Sequence, residues 1–134
     1  MKEKIVIDAT DATLGRLCSF AAKQALMGKF IVIVNCNNAV LTGNKNFLLK
    51  EYKEKIARGG SSLKGPFYPK NPQRIVKRVI RGMLPYKQER GRAALKRIIC
   101  FNDLPKEYES VKKIYAAKEK KVRTTKINDL LKSI

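Results

Sequence analysis

Residues 4–35, KIVIDATDATLGRLCSFAAKQALMGKFIVIVN, contain two β-branched apolar runs, at 5–7 and 31–34, that flank a segment with helical spacing. Apolar runs without alternation are typical of strands that are covered on both faces. The apolar positions between the two runs share one helical face: Leu14, Leu17, Cys18, Ala21 and Ala25. Gly28 can end that helix. The pattern therefore predicts a right-handed βαβ unit.

The rest of the chain continues the alternation of strands and helices. The patterns predict a strand at 39–41, a helix closed by residues 58–60, an irregular loop over 59–72, a helix from Pro72 to Met83 capped by Asn71, a shorter helix over about 87–97 and a last strand at 98–101. The second helix would turn Leu49, Tyr52 and Ile56 toward the sheet. The sheet would have four strands.

At 134 residues and 15.2 kDa the chain fits one domain. We expect residues 1–105 to form a single α/β RNA-binding domain and 106–134 a charged C-terminal extension. Ile127, Leu130, Leu131 and Ile134 share a face, which predicts a short terminal helix that Thr124 or Thr125 can cap. Such a helix must dock, either on its own domain or on a neighbour.

The residue types present exclude several kinds of chemistry. The three cysteines, Cys18, Cys36 and Cys100, form no C-x-x-C pair and indicate neither a disulfide framework nor a zinc ribbon. Cys18 and Cys100 are expected in the core and Cys36 near the surface. Histidine is absent, which excludes Ser-His and Cys-His nucleophile pairs. No apolar stretch approaches a bilayer span, so we expect a soluble intracellular protein.

Positive charge is concentrated in residues 58–97. This segment holds twelve Lys or Arg residues and one acid, Glu89, and so carries +11 of the chain's net +19. Four of its cations fall at i, i+3, i+4 and i+7 on one helical stripe: Arg74, Lys77, Arg78 and Arg81. A solvated face usually mixes signs, whereas here the sign is uniform and the opposite side of the helix is apolar. The stripe therefore favours binding of a polyanion, and nucleic acid is the leading candidate.

The predicted loop over 59–72 combines cations with rings. Lys64 and Lys70 would lie along a nucleic-acid backbone, and Phe67 and Tyr68 would stack on an exposed base. For each ring, an equally good alternative is that the ring only anchors the loop to the core.

Residues 42–45, Thr42-Gly43-Asn44-Lys45, join a predicted strand to a helix start. Free N–H groups and the helix dipole favour an anion there, and Lys45 adds a formal charge. An ordinary capped turn is the alternative, and we favour a phosphate contact.

The sequence also suggests two other classes of function. Asp8, Asp11 and Lys45 suggest a small metal-dependent phosphoryl-transfer or nuclease domain, but Asp11 is equally explained as a helix cap and no third carboxylate lies nearby in sequence. An anionic-membrane binder would use the helix from Pro72 to Met83, whose apolar face lacks Trp and Phe. That face is better used against the sheet.

The chain also resembles a known family. Val6-Ile7-Asp8-Ala9-Thr10, Leu14-Gly15-Arg16-Leu17, Val34-Asn35, Thr42-Gly43-Asn44-Lys45 and Arg81-Gly82-Met83-Leu84-Pro85 follow in the order found in the L-thirteen family of large-subunit ribosomal proteins. Gly65-Pro66-Phe67-Tyr68-Pro69 and Pro85-Tyr86-Lys87 resemble its archaeal and eukaryotic branch. The resemblance covers about residues 5–105. Cys100 and Asp103 depart from the residues usual in the family.

The resemblance implies a three-layer α/β/α fold with a mostly parallel four-stranded sheet. It implies a structural, non-catalytic role in the large subunit of the cytoplasmic ribosome, with large-subunit ribosomal RNA and neighbouring large-subunit proteins as partners. We expect no cofactor, metal, membrane or small-molecule substrate. The predicted RNA-binding residues are Arg16, Thr42, Gly43, Asn44, Lys45, Arg58, Lys64, Phe67, Tyr68, Lys70, Arg74, Lys77, Arg78, Arg81, Lys87, Arg90, Arg92, Lys96 and Arg97.

Overall fold

A computed structural model describes residues 4–57, 71–115 and 124–132. The strands within these ranges are β1 (Lys4–Asp8), β2 (Phe30–Val34), β3 (Val40–Thr42), β4 (Ile98–Cys100), β5 (Ile114–Tyr115) and β6 (Thr124–Lys126). The α-helices are α1 (Leu14–Leu26), α2 (Lys45–Ala57), α3 (Pro72–Met83), α4 (Glu89–Lys96) and α5 (Ile127–Lys132). Short 3-10 turns occupy Cys36–Asn38 and Lys106–Tyr108. The predicted loop over 59–70 and the helix end at 58–60 lie outside the described residues.

The main sheet has four strands, all parallel, in the order β4-β2-β1-β5. This confirms the predicted α/β class, the βαβ unit and the four-stranded parallel sheet. One of the four strands in this sheet differs from the prediction. β3 pairs antiparallel with β6 in a separate two-stranded sheet, and β5 takes the fourth place. β5 is only two residues long, too short to produce a periodic signal in the sequence.

The two faces of the sheet are covered differently. Ile7 and Ile33 point into the larger core, which α1, α3 and α4 supply with apolar side chains. Val32 and Val34 point to the other side, against Tyr108 of the second 3-10 turn, with Phe101 and Leu104 nearby. Successive side chains of a strand alternate between faces, so an unbroken apolar run is what two covered faces require.

The second helix, α2, packs Leu48 and Tyr52 into the larger core and leaves Leu49 half-buried beside it. Tyr52 also lines a cavity with Ile75 and Val79 of α3. The predicted inward face of α2 is therefore correct for Tyr52.

The terminal helix docks on its own domain. Ile127 and Leu130 of α5 are fully buried in the larger core, and the Ile127 N–H donates to Ala39 O at 3.0 Å. The predicted short helix is confirmed, whereas Thr124 and Thr125 lie in β6 and do not cap it. The boundary predicted at residue 105 stays a prediction.

The cysteine predictions are correct for Cys18 and wrong for Cys36. Both side chains are fully buried, and Cys100 is half-buried. The 3-10 turn folds Cys36 inward, because its N–H donates to Phe101 O at 3.1 Å and ties the turn to the end of β4. A three-residue turn has no periodicity that would reveal this from the sequence.

A glycine sets the packing of α4 on the turn that precedes it. A Cβ on the buried Gly91 would overlap Pro85 O and crowd the Tyr86 backbone, which cannot move aside as a flexible side chain would. We predict that Gly91→Ala lowers the free energy of unfolding by about 1–3 kcal/mol in urea titrations, because overpacking forces a backbone shift. Gly15→Ala is the control, since a Cβ there meets open space within α1 and raises helix propensity. Equal stability of the two variants would contradict this packing.

Candidate nucleic-acid interface

The helix α3 has one buried and one cationic side. Ile75, Val76 and Ile80 are buried in the larger core. On the other side Arg74 and Arg81 are exposed, while Lys77 and Arg78 are half-buried. The helical stripe predicted from the spacing is therefore present as one continuous face. Because the apolar side of α3 is used against the core, it is not available to a membrane.

The start of α3 is held by two asparagines. Asn71 Oδ1 accepts from the Gln73 N–H at 3.3 Å and from Asn102 Nδ2 at 2.7 Å. Asn102 Oδ1 accepts from the same Gln73 N–H at 2.9 Å. Pro72 follows the cap in the first helical position, where its missing N–H costs nothing. The predicted Asn71 cap is confirmed, and Asn102 joins it to the residues that follow β4.

Two of the predicted RNA-binding cations also hold the fold together. Lys77 Nζ donates to Ile98 O at 3.0 Å, which joins α3 to β4. The Arg97 guanidinium donates to Ala25 O at 2.9 Å, at the carboxyl end of α1 where a cation is favoured. Both acceptors are neutral carbonyls, so neither hydrogen bond cancels the positive charge.

Three of the four stripe cations have no acidic partner in the described part of the chain. Within residues 4–57, 71–115 and 124–132, no carboxylate forms a salt bridge with Arg74, Lys77 or Arg81. The contrast is α2, where Lys55 pairs with Glu51 at 3.5 Å. Arg81 instead lies over the Tyr86 ring, with 5.1 Å between the guanidinium carbon and the ring centroid. This contact restricts the Arg81 side chain without removing its charge.

A groove of about 510 Å³ runs beside the stripe, between α3, α4 and the edge strand β4. Its lining combines cationic and polar groups with apolar ones: Gln73, Arg74, Lys77, Arg78 and Arg81 from α3, and Leu95, Ile99 and Cys100 from the facing elements. The groove therefore presents apolar surface beside a row of cations.

Five other predicted cations are exposed on α4, on the turn before it and on α1. Lys87 precedes α4, and Arg90, Arg92 and Lys96 lie on it, all exposed. Arg16 is exposed on α1. None of these five lines the groove. The predicted residues Arg58, Lys64, Phe67, Tyr68 and Lys70 lie outside the described part of the chain.

Residues 42–45 form a capped turn. Asn44 Oδ1 accepts from the Asn46 N–H at 3.0 Å, and Gly43 has a φ of +133°, which a residue with a side chain rarely adopts. Gly43 O accepts from the Thr125 hydroxyl at 3.4 Å, which ties the turn to β6. Thr42, Asn44 and Lys45 are exposed. The turn is thus built as a helix start, and its contact with phosphate stays a prediction.

Asp8 has a structural role at the end of β1. Its Oδ1 accepts from the Thr10 N–H at 2.9 Å, the Thr10 hydroxyl at 2.7 Å and Asn35 Nδ2 at 3.2 Å. Burial alone would raise the pKa of Asp8, but the hydrogen bonds from Thr10 and Asn35, with the nearby Lys113, outweigh it and lower the pKa from 3.8. Within the described residues no three acidic, Cys or His side chains form a metal-binding cluster. The phosphoryl-transfer alternative is not supported.

The lowered pKa of Asp8 leads to a prediction about stability. A carboxyl with a depressed folded-state pKa stabilises the fold above its unfolded value of 3.8, and this contribution is lost as the pH falls through the folded value. Asp8→Asn should therefore lower the free energy of unfolding by about 1 kcal/mol at pH 7. The difference from the unaltered chain should shrink below pH 3.8 in urea titrations. A difference that is constant down to pH 3 would contradict this role of the carboxylate.

The cysteine thiols differ in their surroundings. Burial raises the pKa of Cys18. Cys36 and Cys100 share a hydrogen bond that, together with burial, raises the pKa of Cys36. The same bond and the nearby Lys77 lower the pKa of Cys100, which faces the groove. Cys100 is therefore the thiol best placed to report on the occupancy of the groove.

Several residues that build this surface were not predicted as part of it. Asn102 completes the cap of α3, Tyr86 holds Arg81, and Leu95 supplies apolar surface to the groove. Each acts through a contact between elements that are separate in sequence, which residue spacing does not reveal. The Arg81 to Tyr86 separation does not match the helical spacings of 3 or 4 either.

The fold and this surface define a small basic α/β protein with an arginine-rich face directed to solvent. A family model described as "Ribosomal protein L13", the L-thirteen family, matches residues 2–107. The chain belongs to this family and is therefore a ribosomal protein. This confirms the resemblance read from its motifs. Within the described residues, no helix is long and apolar enough to cross a membrane.

Proteins similar to this chain include several from archaea. The chain is 50% identical over 104 residues to "Large ribosomal subunit protein uL13" of Archaeoglobus fulgidus, covering 78% of this chain and 66% of that protein. It is 47% identical over 108 residues to the protein of that name from Methanopyrus kandleri, covering 81% and 67%. For Methanosarcina barkeri the identity is 48% over 113 residues, covering 84% and 80%. The chain thus spans about two thirds of the length of the first two relatives.

Proposed function

We propose that this chain is a structural constituent of the large ribosomal subunit, in the cytoplasmic ribosome, and that its basic face binds and stabilises folded large-subunit ribosomal RNA. The names of the relatives support the place of assembly. The observation that carries the RNA contact is the cationic stripe of α3, on which Arg74, Lys77 and Arg81 have no carboxylate partner among the described residues.

Physical chemistry favours RNA phosphate as the partner of this stripe. The like-charged pairs Arg74/Arg78 and Lys77/Arg81, each at i, i+4, cost about 0.2–0.5 kcal/mol per pair in an isolated helix. A dense array of phosphates removes that repulsion and releases counterions. The planar guanidinium groups also match phosphate oxygens with two parallel hydrogen bonds. The stripe is thus better suited to a polyanion than to water.

The remaining predicted cations extend the proposed surface. Those on α4 and on the turn before it, with Arg16 on α1, would contact the backbone of the same RNA. The turn at 42–45 would offer a phosphate contact at the start of α2, and Lys64 and Lys70 of the predicted loop would add contacts to the RNA backbone. We also propose contacts with neighbouring ribosomal proteins and infer no catalytic role.

The salt dependence of RNA binding tests this proposal. For Z neutralised phosphates, the slope of log affinity against log salt is about −0.7Z to −0.9Z. We predict that Arg74→Ala and Arg81→Ala, measured by filter binding to large-subunit ribosomal RNA fragments, each flatten the slope by roughly one unit.

Lys53→Ala is the control for lost charge, since Lys53 is exposed on α2, whose surface mixes lysines with glutamates. It should leave the slope within error of the unaltered chain. Equal slopes for all three variants would mean that the stripe does not neutralise phosphates.

A further inference from the structure

The groove beside the cationic stripe combines cationic surface with apolar surface. A duplex backbone needs only the cationic part. Its cations suit phosphate, but Leu95 and Cys100 offer apolar contact that phosphate cannot use. Its volume of about 510 Å³ lies in the range of sites for small organic groups. An unstacked nucleotide has both parts, an apolar planar base and a charged phosphate.

The β4 side of the groove is set by strand alternation. Ile99 pairs in register with Val32, so its side chain lies on the face of the sheet opposite α3, whereas Ile98 and Cys100 lie on the α3 face. Lys77 Nζ already occupies the Ile98 carbonyl. The outer edge of β4 is thus partly closed to strand addition by a peptide.

The cations of the rim are held in place rather than extended at random. Arg81 is restrained over the Tyr86 ring and Lys77 by its hydrogen bond to Ile98 O. Splayed bases of RNA stack on arginine planes and apolar side chains, and sequence-specific RNA recognition uses such unpaired bases because the duplex hides them.

From this combination we propose that the groove receives a single unpaired RNA base, extruded from a bulge or loop, while the α3 cations hold the flanking phosphates. The inference rests on the proposed function and specifies which part of the RNA this groove would bind. It assigns Leu95 and Cys100 to the base, and Arg74 and Arg81 to the phosphates. An acidic peptide with apolar side chains is the competing occupant.

Three short RNA duplexes separate base recognition from charge. The first is fully paired, the second carries one bulged adenosine, and the third carries an abasic residue at the bulge and so keeps its phosphate. Stacking of one base adds about 1–3 kcal/mol, so the adenosine bulge should bind roughly tenfold tighter than the other two. Equal binding of the abasic and adenosine bulges would overturn the inference.

A matched pair of variants locates the base. Leu95→Ala should remove most of the preference for the bulge and keep duplex affinity, since alanine suits a helix but lacks the apolar surface. Leu49→Ala is the control, because Leu49 is also a half-buried leucine packed against the larger core, on α2 and outside the groove. If Leu95→Ala keeps the full preference, the base does not bind in this groove.

Alkylation of Cys100 gives a second readout of occupancy. Saturating adenosine-bulge RNA should slow the reaction of Cys100 with iodoacetamide more than saturating abasic RNA does. Protection by a short peptide of alternating aspartate and leucine, but not by the bulged RNA, would assign the groove to a protein partner and overturn the inference. If none of the three RNAs binds, the proposed function itself fails. If all three bind equally, only this inference fails.

Discussion

Burial of one side of α3 fixes the direction of the other. Ile75, Val76 and Ile80 leave water on folding, and each buried aliphatic side chain contributes about 1.5–3 kcal/mol. The four cations at the complementary helical positions must then face outward, whatever their mutual repulsion. The surface proposed to contact RNA is therefore a consequence of core packing. The position of this surface depends on the cap formed by Asn71 and Asn102, which sets where the helix begins.

Several cations also stabilise the fold without losing their charge. Lys77 and Arg97 stabilise contacts between elements by donating to carbonyls, and they keep their charge while doing so. Arg81 is restrained by an aromatic ring instead of an acid. Mixed charges are found on α2, where Lys55 and Glu51 pair. Among the described residues, Arg74, Lys77 and Arg81 thus keep their charge where a polyanion is expected.

Residue spacing was enough to predict the elements that are long or repetitive. It predicted the βαβ unit, the cap and length of α3, and the stripe. A period repeated over three or more helical turns can be recognised in the sequence without knowing the tertiary contacts. It failed for β5 and for Cys36, which depend on partners distant in sequence. The groove was missed for the same reason, since Leu95, Cys100 and Arg81 line one groove only after α4 and β4 pack beside α3. The fold class was thus predictable, while the composition of the site was predictable only along single helices.

Membership in a ribosomal protein family and the orientation of α3 lead to one central claim, that the stripe holds the chain on the large subunit. The most direct measurement is co-sedimentation of the tagged chain with large subunits through a moderate-salt wash. The account predicts that the unaltered chain stays bound and that a variant with both Arg74→Ala and Arg81→Ala is released at lower salt. Release of the unaltered chain from large subunits, or equal retention of both proteins at every salt concentration, would contradict it.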